Sequence, residues 1–113
     1  MTSEAALGTA LDRTLAALAD PARRRMVELL RDRPRSAGEL AGAAGLSPPA
    51  ASRHLKTLRQ AGMVQESHPE FDARVRIYAL KAEGLDALKA WLAETERMWS
   101  EQLLAFKSFV EGE

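Results

Sequence analysis

Residues 36–62 read SAGELAGAAGLSPPAASRHLKTLRQAG, and this stretch decides the fold. Ser36-Ala37-Gly38-Glu39 has the form of a capping box. The serine hydroxyl reaches forward to a backbone N–H, and the glutamate three residues on reaches back. A short helix with Leu40 inward follows, ending near Ala44, where Gly45 supplies a left-handed stop. Leu46 plugs the turn. Ser47 and Pro48 start a second helix at once, which runs to about Ala61 and stops at Gly62. Two short helices separated by Ala44-Gly45-Leu46-Ser47 form a helix-turn-helix. Its second helix divides into two faces. Ala51, Leu55 and Leu58 recur at inward spacing, and Pro49, Ser52, Arg53 and Lys56 recur on the opposite side.

Upstream, Leu7, Leu11, Leu15 and Leu18 form one stripe of a first helix over about Thr9 to Ala19. Asp20-Pro21 ends that pattern and caps a second helix, Pro21 to Arg31, burying Met26, Val27 and Leu30. Pro34 closes it. Downstream the period changes from helical to alternating. Met63 to about His68 reads as one strand. Val75, Ile77 and Ala79, alternating with Arg74, Arg76 and Tyr78, read as another. The polar loop His68 to Ala73 joins them. A long final helix begins near Ala82 or Glu83. The expected fold class is mainly α with a small β-hairpin: a winged helix-turn-helix of order α-α-α-α-β-β-α. The whole of residues 1–113 forms one domain, with the motif at about 36–61 and the wing at about 63–80.

The outward face of the second motif helix carries cations and no carboxylate, which suits a polyanion. Such a helix fits the major groove, roughly 12 Å wide. Arg53 is the candidate for direct readout, because its planar fork matches guanine O6 and N7. Ser52 suits a base or a phosphate, and Pro49 lies on the same face. Lys56 and Arg59 suit phosphates. The free N–H groups near Ser36 and Ser47 are further phosphate seats. His54 sits at the border of the inner face, where packing and a hydrogen bond come first and a DNA contact second. Arg74 and Arg76 point the same way on one strand, so the inner part of the wing suits the DNA backbone or minor groove. Glu70 and Asp72 make its tip unsuitable. Arg23, Arg24 and Arg25 crowd a helix N-terminus, where cations oppose the dipole. Nearby acids would offset them first, and DNA phosphate second.

The formal net charge is zero, yet it is unevenly spread. From Ser47 to Val64 the only formal charges are Arg53, Lys56 and Arg59, while acids dominate residues 82–113. A basic middle and an acidic end suggest one face for a polyanion and another turned away. The final helix carries Leu85, Leu88, Trp91, Leu92, Met98, Trp99, Leu103 and Phe106, more large apolar groups than one small core can cover. Burial against a second copy, with Leu7, Leu11 and Leu15 of the first helix, accounts for them. The dimerisation helices are then about 7–19 and 82–110. The plainer alternative is that the stripe caps its own core.

The chain has no cysteine and only two histidines, His54 and His68. Thiolate metal sites and cysteine nucleophiles are excluded, and a four-ligand zinc site has too few donors. No Ser-His-carboxylate set and no phosphate-cradling glycine loop occurs, so neither catalysis nor a cofactor is expected. No apolar run approaches the roughly 20 residues of a membrane span, and residues 1–8 lack the features of a secretory signal. The expected address is the cytoplasm. The expected partners are double-stranded operator DNA and a second copy, with no membrane. The rival function is a dimeric protein-interaction module that kept the fold without binding DNA. The operator, the regulated genes and any effector, small molecule or protein, are not encoded in a readable way.

Taken together, Leu18-Ala19-Asp20-Pro21-Ala22-Arg23-Arg24, Glu39-Leu40, Gly45-Leu46-Ser47, Ser52-Arg53-His54-Leu55-Lys56, Leu58-Arg59-Gln60-Ala61-Gly62-Met63-Val64 and Glu83-Gly84-Leu85 resemble the ArsR/SmtB family of winged helix-turn-helix repressors over about residues 10–95. The resemblance implies a dimer built from the first and last helices that binds an imperfect palindrome and blocks transcription. Metal-sensing members carry Cys-x-Cys where this chain has Ser36-Ala37-Gly38-Glu39-Leu40, and others use histidines on the last helix, where this chain has none. The resemblance is therefore to the cysteine-free branch that does not sense metals, whose last helix is rich in tryptophan. Ala51 is smaller than the branched residue usual there, and Lys81 stands where Asp or Thr is a common cap.

Overall fold

A computed structural model describes residues 4–72 and 74–112, with side chains from residue 8 onward. Eight elements follow in order: α1 (Glu4–Leu18), α2 (Pro21–Asp32), β1 (Arg35–Ser36), α3 (Ala37–Ala44), α4 (Pro48–Gln60), β2 (Val64–Ser67), β3 (Ile77–Leu80) and α5 (Asp86–Glu111). The sheet is antiparallel with order β1-β3-β2. The winged helix-turn-helix is present, with a third strand added to the hairpin. No helix among the described residues is long and apolar enough to cross a membrane.

The core lies where α2, α3, α4 and the sheet converge. Met26, Leu29 and Leu30 of α2 meet Leu40 and Ala41 of α3, and Ala51, Leu55 and Leu58 of α4. Met63, Val64 and Tyr78 close it from the sheet side. Gly45 takes φ 67°, and the Leu46 N–H then reaches the Ala41 carbonyl at 2.9 Å. That bond turns the chain and seats the half-buried Leu46 against the core. Gly62, at φ 76°, ends α4 in the same way, with Met63 N–H on the Leu58 carbonyl at 3.1 Å.

The structure moves several sequence boundaries. Helix α1 starts at Glu4 rather than near Thr9. Its buried face is Thr14 and Ala17, while Leu11 and Leu18 are half-buried and Leu15 is exposed. The Leu7 side chain and Ala73, at the end of the wing loop, lie outside the described residues. In α2, Leu29 is buried in place of Val27, which packs at the core's edge. Strand β1 has only two residues, too few for a visible period, and pairs Arg35 with Tyr78 and Ser36 with Ile77. Strand β3 begins at Ile77, not Arg74, and its buried residue is Tyr78. Helix α5 begins at Asp86, because residues 82–85 form a turn. Gly84 passes so close to Met63 that a Cβ there would meet the Met63 Cα at 3.1 Å.

Helix α5 packs on α1 and then continues outward. At 1.5 Å per residue its 26 residues extend about 39 Å. The Cα radius of gyration is 18.9 Å, against about 13 Å for a compact domain of this length. No residue of α5 is buried. Met98, Trp99, Leu103, Phe106, Phe109 and Val110 are all more than half exposed.

Candidate nucleic-acid interface

The second motif helix, α4, is held by its apolar side. Ala51, Leu55 and Leu58 are buried, and Pro49, Arg53, Lys56 and Arg59 are exposed on the other side, with Ser52 half-buried. The side chains of Arg53 and Lys56 have no hydrogen bond or ion pair to any described residue; the Arg53 carbonyl accepts from the Thr57 hydroxyl within the helix. The other cations around them are engaged. Arg59 Nη1 lies 2.9 Å from Glu66 Oε2, and Arg76 Nη2 donates to Ser52 Oγ at 3.4 Å. Arg74 folds back onto Asp72 at 3.3 Å. Its side chain and that of Arg76 therefore part company rather than point the same way. The physical reason is that both precede β3, where no pleat aligns them.

Glu66 is a residue the sequence reading missed. Its Oε2 also accepts from the Tyr78 hydroxyl at 2.6 Å and lies 4.0 Å from Arg76, while Oε1 lies 3.7 Å from His68 Nε2. Tyr78 above all holds the Glu66 carboxyl below the ordinary glutamate range. Arg59, Arg76 and His68 act the same way, against partial burial. Burial and the facing carboxylate raise the Tyr78 hydroxyl in turn. A cleft of about 230 Å³ results, lined by Ser52, Arg53, Lys56 and Arg59 of α4 and by Glu66, Arg76 and Tyr78 of the hairpin. Four cations face one carboxylate there. The signal that could have found Glu66 is the strand register: Glu66 and Tyr78 are direct cross-strand partners.

The helix starts correct another expectation. Pro48 and Pro49 carry no N–H, Ala50 N–H donates to Ser47 Oγ, and Ala51 N–H donates to the Ser47 carbonyl. No free N–H is left in that turn. At α3 the capping box is formed. Ser36 Oγ accepts from Glu39 N–H, and Glu39 Oε1 accepts from Ser36 N–H, each at 3.1 Å. The Ser36 N–H bond does most to keep the Glu39 carboxyl below its ordinary range, and Arg33 adds to it. Ala37 N–H is taken by the Arg76 carbonyl. What Ser36 and Ser47 still offer a phosphate is the hydroxyl proton.

The arginine run is offset by carbonyls rather than chiefly by acids. Arg23 donates to the Ala17 and Ala16 carbonyls at 2.7 and 3.0 Å, and Arg24 to the Leu18 and Ala19 carbonyls at 2.7 and 3.1 Å. These carbonyls end α1, at the negative end of its dipole; that of Ala16 also accepts the Ala19 N–H at 3.3 Å. Asp20 contributes only a 3.9 Å contact to Arg23 and mainly caps α2 through Ala22 N–H. Half-buried His54 receives Arg23 Nη1 at 3.2 Å on Nδ1. Arginine only donates, so Nδ1 is the acceptor in this contact.

Residues 20–66 match the model of the bacterial regulatory protein arsR family. The chain is similar to HTH-type transcriptional regulator Rv2034 of Mycobacterium tuberculosis, at 36% identity over 102 residues covering 90% of each. Among solved structures it resembles the ArsR family transcriptional regulator RHA00566, with a TM-score of 0.75 and 30% identity, covering 88% of this chain and 97% of that one. It also resembles the transcriptional repressor BigR from Xylella fastidiosa, with a TM-score of 0.59 and 26% identity, covering 74% and 83%.

Proposed function

This chain belongs to the arsR family of bacterial regulatory proteins, transcriptional regulators with a winged helix-turn-helix DNA-binding fold, and from that premise we propose that it represses transcription as a homodimer on a palindromic operator. One observation carries the reading. Arg53 and Lys56 are exposed on α4 without a partner among the described residues, beside cations that are all engaged. Extended cationic side chains left unpaired on a helix that fits the major groove are what base and phosphate contacts require. Arg53 reads a guanine, Lys56 holds the backbone, and Ser36, Ser47, Ser52 and the wing arginines set the register.

Dimerisation supports the same reading. The unburied apolar stripe of α5, with exposed Leu15 of α1 beside it, exceeds what a monomer tolerates. Pairing these helices presents α4 twice about a two-fold axis, so half-sites fall about one helical turn apart. The dimer works in the cytoplasm and has no reaction of its own. Repression is proposed on the resemblance to such repressors as BigR.

The test is selection of bound duplexes from a random pool, with the stoichiometry measured on the winner. Enrichment of a two-fold symmetric motif by two protomers is expected. No enrichment at low salt contradicts the reading and favours a protein-interaction module.

A further inference from the structure

We infer that Glu66 is a specificity-determining positioning residue: its carboxylate holds Arg59 of α4 and Arg76 of the wing and withholds them from indiscriminate phosphate binding. This rests on the nucleic-acid reading above and concerns how that face is regulated from within.

The observations converge on one oxygen. Oε2 of Glu66 takes Arg59 at 2.9 Å and the Tyr78 hydroxyl at 2.6 Å, with Arg76 at 4.0 Å. Tyr78 is buried and stands opposite Glu66 in the strand register, so the carboxylate is anchored from the sheet side and cannot swing out. The Glu66 side chain is 16% exposed while that of Arg59 is 46% exposed. Arg59 is therefore reachable by a phosphate but already satisfied on one side by a fixed, poorly hydrated anion. Its guanidinium has five donors, so a phosphate placed correctly can share it. One placed elsewhere meets the repulsion of Glu66 without that gain. The same carboxylate binds groups from α4 and from the hairpin and so fixes the width of the cleft between them. Arg53 and Lys56, which Glu66 does not touch, stay free to test the sequence.

The chemistry predicts a signature that a purely structural strut would not give. Bound phosphates release counterions, and each neutralised phosphate contributes about 0.9 to the salt slope. Removing the Glu66 charge frees roughly one cation equivalent for this purpose. Glu66→Gln keeps the side-chain size and an oxygen for the Tyr78 hydroxyl, so the strand register is retained.

The experiment measures binding of the full chain, wild type and Glu66→Gln, to a mixed-sequence duplex and to a duplex enriched by the wild type, across a salt series. Glu66→Gln is expected to bind the mixed duplex about 10-fold tighter at low salt, with a salt slope steeper by about one. The enriched duplex gains about 3-fold or less, so discrimination falls. Arg59→Ala is then expected to cost more in the Glu66→Gln background than in the wild type. An unchanged slope with unchanged mixed-duplex affinity overturns the inference, as does parallel weakening on both duplexes. Should Glu66→Gln fold poorly, Tyr78→Phe releases the same anchor while keeping the charge. It should reduce discrimination without steepening the slope, and full retention of discrimination overturns the proposal. Wild-type protein that binds neither duplex sinks the underlying reading instead, which keeps the two failures distinct.

Discussion

Arg23 Nη1 lies 3.2 Å from His54 Nδ1, so the first turn of α2 is tied to α4 through a single guanidinium. The same side chain also closes two carbonyls at the end of α1. Arg23→Ala removes all three bonds at a site where the side chain is only 18% exposed. A loss of about 1.5–3 kcal/mol is expected, as for hydrogen bonds made by a charged group. Arg24→Ala, at an exposed position where water replaces the lost bonds, should cost about 0.5 kcal/mol. Urea midpoints at one fixed protein concentration check both, since the proposed dimer would couple stability to concentration.

Gly45 and Gly42, two glycines of the motif, should respond in opposite directions. Gly45 sits at φ 67° with open space around it, so Gly45→Ala meets no clash but does meet left-handed strain. A destabilisation of about 1 kcal/mol follows. Gly42 lies inside α3, also in open space, and Gly42→Ala should stabilise by about 0.5–1 kcal/mol through helix propensity. Thermal midpoints that move the same way for both would contradict this account of the turn.

Leu55 is wholly buried on the side of α4 opposite Arg53. Leu55→Ala should cost about 2–5 kcal/mol, because the cavity has rigid walls in α2 and α3. A midpoint shift below 1 kcal/mol, read by denaturation, would mean that α4 is not seated as described.

Glu66 gives the fold a pH dependence with a definite sign. Its carboxyl is held below the ordinary range, first by Tyr78 and then by Arg59, Arg76 and His68. A depressed folded value contributes stability above the unfolded value, lost as pH falls through the folded one. Tyr78→Phe removes the largest cause. The stability gap between wild type and Tyr78→Phe should be full at neutral pH and narrow on acidification below the ordinary glutamate range. Denaturation midpoints across pH read it directly.

The motif was legible because its signals are local. The capping box at Ser36, the stop at Gly45, the inward set Ala51, Leu55 and Leu58 and the outward cations follow from spacing alone. Less legible were features made by distant parts of the chain. Strand β1 is two residues long and exists only because β3 passes beside it. The carbonyl caps of Arg23 and Arg24 need the end of α1 to lie against the start of α2. Asp20-Pro21, leaving only Ala19 and Asp20 between those helices, is the trace of that in the sequence. In helix α1 the tight contact is made by the small residues Thr14 and Ala17, which carry no leucine period, while Leu11 and Leu18 are half-buried and Leu15 is exposed. Thr14 keeps its hydroxyl satisfied on the Ala10 carbonyl at 3.0 Å. Glu66 stayed hidden because its partners come from α4, the wing loop and β3.

Arg53 is the residue on which the proposed DNA recognition by α4 depends most. The test is the affinity of wild type and Arg53→Ala for the enriched duplex and for a set carrying every single base-pair change. Arg53→Ala is expected to lose about 1–3 kcal/mol on the enriched duplex and to flatten the preference at one base pair in each half-site. Lys56→Ala, by contrast, should weaken every duplex alike. An Arg53→Ala protein whose base preferences match those of the wild type at every position would contradict the account.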